Sequence, residues 1–488
     1  MAAVSEKEKI VSWLNRGLLW SLLTGLPLVY HNGYFDITET KTAFFVICSA
    51  LYLMGRLVCT IQFGADKPRR LAVSEICALL FCFVSLLASL SSGFFRNSFF
   101  GPQGRWQGTG MLWLYAALWA ALRDHPPKKE DVLMPLAAGL ALSALFAVAN
   151  HLGWDGLRLS ASLGAFDAGR YISTLGNINF AGAYFALTVP VAARAWLTAE
   201  SPRKQLVWVG VTVLGVWASM AVRSECSVLG LGVGFALLPL TVKDKKELQR
   251  WCLLLVLLAV WMQIYSLATS FCDAGLSALT RLLVRPTSAI ALALPGAILY
   301  WLLRPVEDPR QFQRVYGVGL AGLLILFAAA LLWLNTTGKH VPLGELESWL
   351  RFSDEWGTDR WKVWRHCLTL RGGFGVWEKL IGGGCGILAR LDAHDRIFAD
   401  AVLDAAHCEY LQILINWGTL GLLSYLGWIS FSLWESLRRS SEFARLFLPG
   451  LAAYAAQAAV NIAQAPGISL FFLLLAVSRA HSEAQKPE

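Results

Sequence analysis

Long apolar segments recur along almost the whole chain, and they constrain its fold more than any other feature. A membrane-spanning helix needs about 20 apolar residues, and fourteen segments approach or reach that length. With 56% hydrophobic and only 15% charged residues, the 488-residue chain is unlike a soluble globular protein. The predicted spans are residues 15–31, 42–63, 73–92, 108–122, 132–151, 178–197, 206–222, 226–242, 251–270, 287–303, 315–334, 411–434, 445–462 and 466–480. We therefore expect an all-α, polytopic membrane bundle of about 14 transmembrane helices.

The positive residues indicate how this bundle is oriented. Lys and Arg concentrate in every second loop, as the positive-inside rule requires of cytoplasmic loops. This alternation predicts that both termini are cytoplasmic in a multi-pass protein of the cell membrane. It also explains the net charge of +9 without a nucleic-acid partner. The positions are Lys67, Arg69, Arg70, Arg123, Lys128, Lys129, Arg203, Lys204, Lys243, Lys245, Lys246, Arg250, Arg304, Arg310, Arg314, Arg438, Arg439 and Arg445.

One external segment, residues 335–410, is too long and too polar to be a simple connection. Helical spacing over 359–370 places Trp361, Trp364 and Leu368 on one stripe, which predicts an amphipathic helix at the membrane surface. The glycines at 382, 383, 384 and 386 predict a tight turn after it. The chain is thus predicted to comprise an N-terminal bundle (1–205), a core with this loop (206–434) and a C-terminal hairpin with a cytoplasmic tail (435–488).

Polar residues that could bind a substrate or take part in catalysis lie on the predicted external side: Arg105, Arg170, Asn177, Asn179, Arg223, Glu225, Arg360, Arg365, His407 and Glu409. Arg223 stands in a three-residue link between two spans, where an arginine costs about 2.5 to 3.5 kcal/mol and needs a partner. That partner is an anionic substrate group; alternatively, Arg223 pairs with Glu225 or extends its guanidinium to the membrane interface. His407 is expected at the water interface with a near-neutral pKa, suited to a general base.

The sequence contains neither the spacing of a metal site nor a glycine-rich phosphate loop. The ten cysteines are scattered rather than paired. We therefore expect no metal and no cofactor.

Several motifs, taken together and in order, resemble the O-antigen ligase superfamily, which comprises O-antigen ligases, O-antigen polymerases and protein O-oligosaccharyltransferases. The resemblance covers about residues 206–425. It rests on Arg223 between two helices, Arg360 with Trp364, the 382–386 glycine turn and the run His407-Cys408-Glu409-Tyr410-Leu411-Gln412. The stretch 170–179 is similar to the family's Gly-Asn-x-Asn motif. Residues 104–108 resemble a shorter Arg-x-x-Gly stretch. Cys408, where members often have Asn, and the run 223–226 depart from the pattern.

This resemblance implies a glycosyltransferase of the polyprenyl-donor type. Such enzymes move a glycan from undecaprenyl diphosphate to a glycan, lipid or protein acceptor outside the cytoplasm, without a metal. Arg223 and Arg360 match the arginines that hold the donor diphosphate, and His407 matches the histidine that activates the acceptor. Arg170 and Asn177 match further binding positions. Asn179, Arg365, Glu409 and Arg105 are additional substrate-binding candidates. The alternatives are a transporter or flippase for an anionic or lipid-linked substrate, and a noncatalytic assembly protein.

Overall fold

The computed structural model describes residues 2–66, 69–164, 169–272, 275–399, 401–438 and 442–479. It is 74% helical with almost no strand, which confirms the all-α prediction. Lys67, Arg439 and the tail 480–488 lie outside the described residues, as does Met1.

Apolar helices dominate the order of elements along the chain. The α-helices are Ala2–Trp20, Leu26–Leu28, Ile37–Phe63, Val73–Ser91, Phe95–Phe100, Thr109–Asp124, Lys129–His151, Ile178–Thr198, Pro202–Ala221, Glu225–Thr241, Lys245–Thr269, Ala278–Leu283, Pro286–Leu302, Pro309–Asn335, Glu347–Leu350, Trp356–Gly372, Val376–Ile381, Ile387–Asp392, Glu409–Arg438, Glu442–Ala458 and Ala465–Val477. A π-helix, Ser21–Gly25, joins the first two, and Gly344–Leu346 is a 3₁₀ turn. The strands Tyr171–Ile172 and Gly176–Asn177 form one antiparallel pair.

Within the described residues, eight helices are long and apolar enough to cross a membrane, consistent with a membrane protein. Each of the fourteen predicted segments coincides with a helix or helix pair. Three of these are shorter apolar helices, Glu225–Thr241, Pro286–Leu302 and Ala465–Val477. Length and composition therefore support eight spans, and the prediction of about fourteen is not confirmed.

Alternate connections meet at the same end of the bundle. Lys7, in the N-terminal helix, and His125, after the Thr109–Asp124 helix, both bind the Asp66 carboxylate, each at 2.7 Å. Further along the chain, Lys129 and Lys243 both approach Glu442, at 2.6 and 3.6 Å. Residues from several loops rich in Lys and Arg thus lie together, and the cytoplasmic placement of these loops stays a prediction.

Two helices form the interior of the bundle and one lies at its margin. Ile178–Thr198 is almost wholly buried, and every residue of Ala465–Val477 is buried. At about 1.5 Å per residue, a 13-residue helix spans roughly 20 Å, less than a hydrocarbon core of about 30 Å. Neighbouring helices cover it, so it need not match the bilayer. By contrast, the apolar window of Pro309–Asn335 is entirely unburied, as a lipid-facing helix would be.

The predicted external segment has a small core of its own. Val363 and Cys367, on the helix Trp356–Gly372, pack with Leu388, Ala406 and Ile415. A helix here was correctly predicted, and Leu368 of the predicted apolar stripe is 53% exposed, so the bundle does not cover it. The helix turns Val363 and Cys367 inward. Trp364 packs at the edge of this core and against Trp356, and Trp361 stacks on Phe352.

Candidate functional site

His407 lies in the loop just before the helix Glu409–Arg438, with its backbone in the left-handed region at φ +50°. The pKa of the ring is lowered to about 4, because burial and then the positive charges of Arg360 and Arg105 disfavour the charged form, while Asp404 opposes them. The expectation of a near-neutral pKa is therefore wrong, because sequence position does not reveal burial or two nearby cations. The imidazole is neutral at physiological pH, the form that can accept a proton.

Arg360 begins the regular part of the helix Trp356–Gly372. Its three predecessors, Gly357, Thr358 and Asp359, all have left-handed backbone conformations. The Arg360 guanidinium donates from Nη1 to the Gly357 carbonyl at 3.0 Å, and its Nε is buried without a partner among the described residues. Its charge acts on His407. The guanidinium thus retains donor capacity beside the imidazole.

Arg105 forms a forked ion pair with Asp404, a residue that the sequence analysis missed. Its Nε and Nη2 donate to the two carboxylate oxygens at 2.8 and 2.9 Å. Burial raises the pKa of Asp404, but the hydrogen bonds and charge of Arg105 and the charge of His407 outweigh it, so the pKa is lowered overall. The one sequence feature that could have pointed to Asp404 is its position three residues before His407. The pair places one cation and one anion next to the candidate base.

Arg223 faces a different set of neighbours from Arg360. It is exposed, has a left-handed backbone at φ +58°, and donates from Nη2 to the Gly169 carbonyl at 2.9 Å. Its charge acts on His151. The structural alternative, an ion pair with Glu225, is absent, and Glu225 instead faces the charge of Arg360. Among the described residues, no contact therefore joins the two arginines of the predicted clamp, and it is Arg360 whose charge acts on Glu225.

The stretch 170–179 is held by local hydrogen bonds. Asn177 caps the helix Ile178–Thr198, because its side chain accepts from the Asn179 backbone N–H at 2.9 Å. The Asn179 side chain accepts from the Ser224 hydroxyl at 2.8 Å, which ties this stretch to the residue after Arg223. Arg170 is exposed on the same stretch. Both asparagines thus have structural partners, and their predicted binding roles remain predictions.

Arg365 and Glu409 each have structural partners of their own. The Arg365 guanidinium pairs with Asp354, and both side chains are about half exposed. Glu409 is buried, and its carboxylate accepts hydrogen bonds from the hydroxyls of Tyr425 and Tyr454. From its sequence position Glu409 was expected to face the external side, but its side chain is buried between helices.

The predicted glycine turn supports a break in the helix that follows His407. Gly418 has φ +69° inside Glu409–Arg438, so the carbonyls just before it lose their helical partners. Gly383 and Gly384 supply replacements, donating their N–H groups to Ile415 at 3.2 Å and Asn416 at 2.9 Å. A Cβ on Gly418 would stand 2.3 Å from the Leu380 carbonyl oxygen, so this close approach requires glycine. These two hydrogen bonds connect the segment that carries Arg360 to the helix that follows His407.

Left-handed backbone in residues other than glycine gathers around the candidate site. Such conformations are uncommon, and they concentrate where the surrounding structure holds a functional group in place. Two are Arg223 and His407 themselves, two directly precede Arg360, one follows Arg105, and one lies in the 170–179 stretch. The residues described with this geometry are Trp106, Arg158, Ser173, Arg223, Thr358, Asp359 and His407.

No family model matches the chain, and no curated protein matches it at a significant level.

The chemistry of the site therefore rests on its own residues. Within the described ranges, no three His, Cys, Asp or Glu side chains cluster as a metal site would require. Arg360 can bind an anion and His407 can accept a proton next to it.

Proposed function

We propose that this protein is a metal-independent, inverting membrane glycosyltransferase of O-antigen ligase type. It transfers or polymerises a glycan from an undecaprenyl-diphosphate-linked donor onto an extracytoplasmic acceptor, in cell-surface polysaccharide or glycoconjugate assembly. One observation carries the proposal: the charges of Arg360 and Arg105 converge on a neutral, partly buried His407. A proton acceptor next to an anion-binding guanidinium is what attack by a hydroxyl on a diphosphate-linked sugar requires.

Each residue has a chemical role in this proposal. The Arg360 guanidinium holds the donor diphosphate, together with Arg223. As the anomeric C–O bond breaks, negative charge grows on the departing diphosphate, and fixed cations stabilise it more than the ground state. His407 takes the proton of the attacking hydroxyl. Attack from the face opposite the diphosphate inverts the anomeric centre.

The proposed orientation places this end of the bundle outside the cytoplasm. The opposite end carries the clustered Lys and Arg residues of alternate loops, including Lys129 and Lys243 at Glu442. Positive residues favour the cytoplasmic side of a membrane. About fourteen spans and two cytoplasmic termini complete this topology.

The alternative of a transporter or flippase calls for charged groups free to bind substrate deep in the bundle. The described deep cations have structural partners instead. Lys41 donates to the carbonyls of Leu26, Pro27 and Val29 at 2.9 to 3.0 Å. Arg56 donates to the Tyr52 hydroxyl at 2.9 Å and the Ala121 carbonyl at 3.0 Å. These contacts favour the transferase.

The test is reconstitution of the purified protein in vesicles with an undecaprenyl-diphosphate glycan and a saccharide acceptor. We expect donor-dependent extension of the acceptor that persists in EDTA and is lost in His407→Ala. Arg396→Ala is the matched control, because Arg396 is an exposed arginine of the same segment that donates only to the Ala399 carbonyl, at 3.5 Å, among the described residues. Movement of lipid-linked glycan across the vesicle without any transfer would instead establish a flippase.

A further inference from the structure

A cavity of about 70 Å³ lies next to the candidate site. Its walls include Arg105 and Asp404, whose charges act on His407, and they also include Glu409. The cavity thus joins the surroundings of the candidate base to a buried carboxylate that has no part in the proposed catalytic steps.

Among the described residues, the Glu409 side chain is hydrogen-bonded only to neutral groups. It is 3% exposed, and its two oxygens accept hydrogen bonds from the Tyr425 and Tyr454 hydroxyls. The other titratable groups that feel its charge are Tyr115 and Tyr410, which are hydroxyls, and the Cys408 thiol. No described Lys, Arg or His forms a salt bridge with it. Each carboxylate oxygen keeps a free lone pair, so Glu409 can bind a proton.

The cavity has the size and the polar partners that ordered water needs. A buried water requires about 10 to 15 Å³ and two to four hydrogen-bonding groups. Gln107 Nε2 and Trp417 Nε1 belong to residues lining the cavity, and both are buried without a partner among the described residues. Gln412 and Asn416 add further amide groups to the wall. Water in this space would satisfy the two unpaired donors and reach the Glu409 carboxylate.

We propose that Glu409 receives, through water in this cavity, the proton that His407 removes from the acceptor hydroxyl. This inference rests on the proposed function. The hydroxyl O–H bond breaks as its oxygen bonds the anomeric carbon, and the C–O bond to the diphosphate breaks, its electron pair leaving with the diphosphate. The proton moves to the imidazole, then through water to a Glu409 oxygen, which restores neutral His407. An imidazole with a pKa of about 4 holds a proton poorly at neutral pH, so the proton needs a further acceptor.

Infrared difference spectroscopy of the purified protein, without substrates, is the first test. Acidification should produce a protonated-carboxyl C=O band that shifts in D₂O, is absent from Glu409→Gln and persists in the matched control Glu225→Gln. The Gln side chain keeps an acceptor for the tyrosine hydroxyls but cannot take up a proton in this way. A wild-type spectrum with no Glu409-dependent band at any pH at which the protein stays folded would overturn the inference.

Single-turnover transfer is the second test. Glu409→Gln should slow transfer about a hundredfold, within the range that proton transfer contributes, with unchanged affinity for the undecaprenyl-diphosphate donor. Ala463→Leu, which fills the cavity from its wall, should slow transfer at least about tenfold and reduce the solvent isotope effect. If both variants transfer at the wild-type rate, the inference is wrong while the proposed function stands. If wild-type protein transfers no glycan, the proposed function fails, and the infrared titration still decides whether Glu409 takes up a proton.

Discussion

Arg105 and Asp404 are 299 residues apart in sequence and form a forked ion pair beside His407, with N–O distances of 2.8 and 2.9 Å. The two charges act on the imidazole in opposite directions: Arg105 lowers its pKa and Asp404 raises it. The pair therefore contributes, with Arg360, to the field at the candidate base, and it joins the N-terminal part of the bundle to the segment 335–410.

Neutralising each member of this pair separately should move the pKa of His407 in opposite directions. Arg105→Gln removes a positive charge and should raise it. Asp404→Asn removes a negative charge and should lower it further. Nuclear magnetic resonance of protein labelled at histidine would follow the titration, with the His407 signal identified by its absence from His407→Ala. Shifts of the same sign in both variants would show that loop rearrangement outweighs charge.

The pH dependence of transfer should reflect the low pKa of His407. The base is active when neutral, so kcat/KM, which reports groups of the free enzyme, should be flat around neutrality. It should fall only as the pH approaches about 4. A midpoint near the ordinary histidine value of about 6.5 would contradict the buried, cation-flanked environment. Tryptophan fluorescence at each pH would separate protonation of the base from unfolding.

Much of the fold could be predicted from sequence, because the length of an apolar segment is a local property, and that length decides whether a helix can span a bilayer. The side chains of Lys129 and Lys243, from two of the loops rich in Lys and Arg, meet at Glu442. The side of the membrane on which these loops lie stays a prediction. The number of spans was harder to predict. A short helix such as Ala465–Val477 is shielded by its neighbours, so its length does not report whether it crosses the membrane.

The details of the site depend on distant contacts that no local pattern records. Arg360 and His407 were assigned to one polar segment, residues 335–410, whose external location stays a prediction. The pairing of Asp404 with Arg105 could not be predicted from local sequence, because the two residues are 299 positions apart. The burial of Glu409 depends on Tyr425 and Tyr454, which reach it from 16 and 45 residues away in sequence.

Gly418→Ala should destabilise the protein, since the new Cβ would meet the Leu380 carbonyl and the backbone would be held at φ +69°. Strain of this kind costs on the order of 1 to 3 kcal/mol. The melting temperature in detergent should fall clearly. Gly322→Ala is the control, because nothing lies within 4 Å of its would-be Cβ on the lipid-facing helix. Equal melting temperatures for the two variants would show that the helix break is easily removed.

The orientation of the bundle can be tested by labelling single cysteines in a background lacking the native ones. Ser353 and Ser201 are both exposed, on the predicted external segment and a predicted cytoplasmic loop. Ser353→Cys should react with an impermeant maleimide in intact cells, and Ser201→Cys only after permeabilisation. The reverse pattern would place the candidate site inside the cell and remove it from any extracytoplasmic acceptor.

Replacing Arg360 by lysine separates charge from shape. Lysine keeps the positive charge that lowers the pKa of His407 but cannot present the planar, two-pronged donor that binds a diphosphate. Transfer should therefore fall by more than tenfold and donor affinity should weaken, while the pKa of His407 stays low and the protein remains folded. Donor binding, histidine titration and turnover measured on one preparation would test all three expectations. Near-normal turnover in Arg360→Lys would mean that the guanidinium fork is not used on substrate and that Arg360 acts only as a nearby charge. A matched Arg396→Lys variant, exposed on the same segment, should leave all three measurements unchanged.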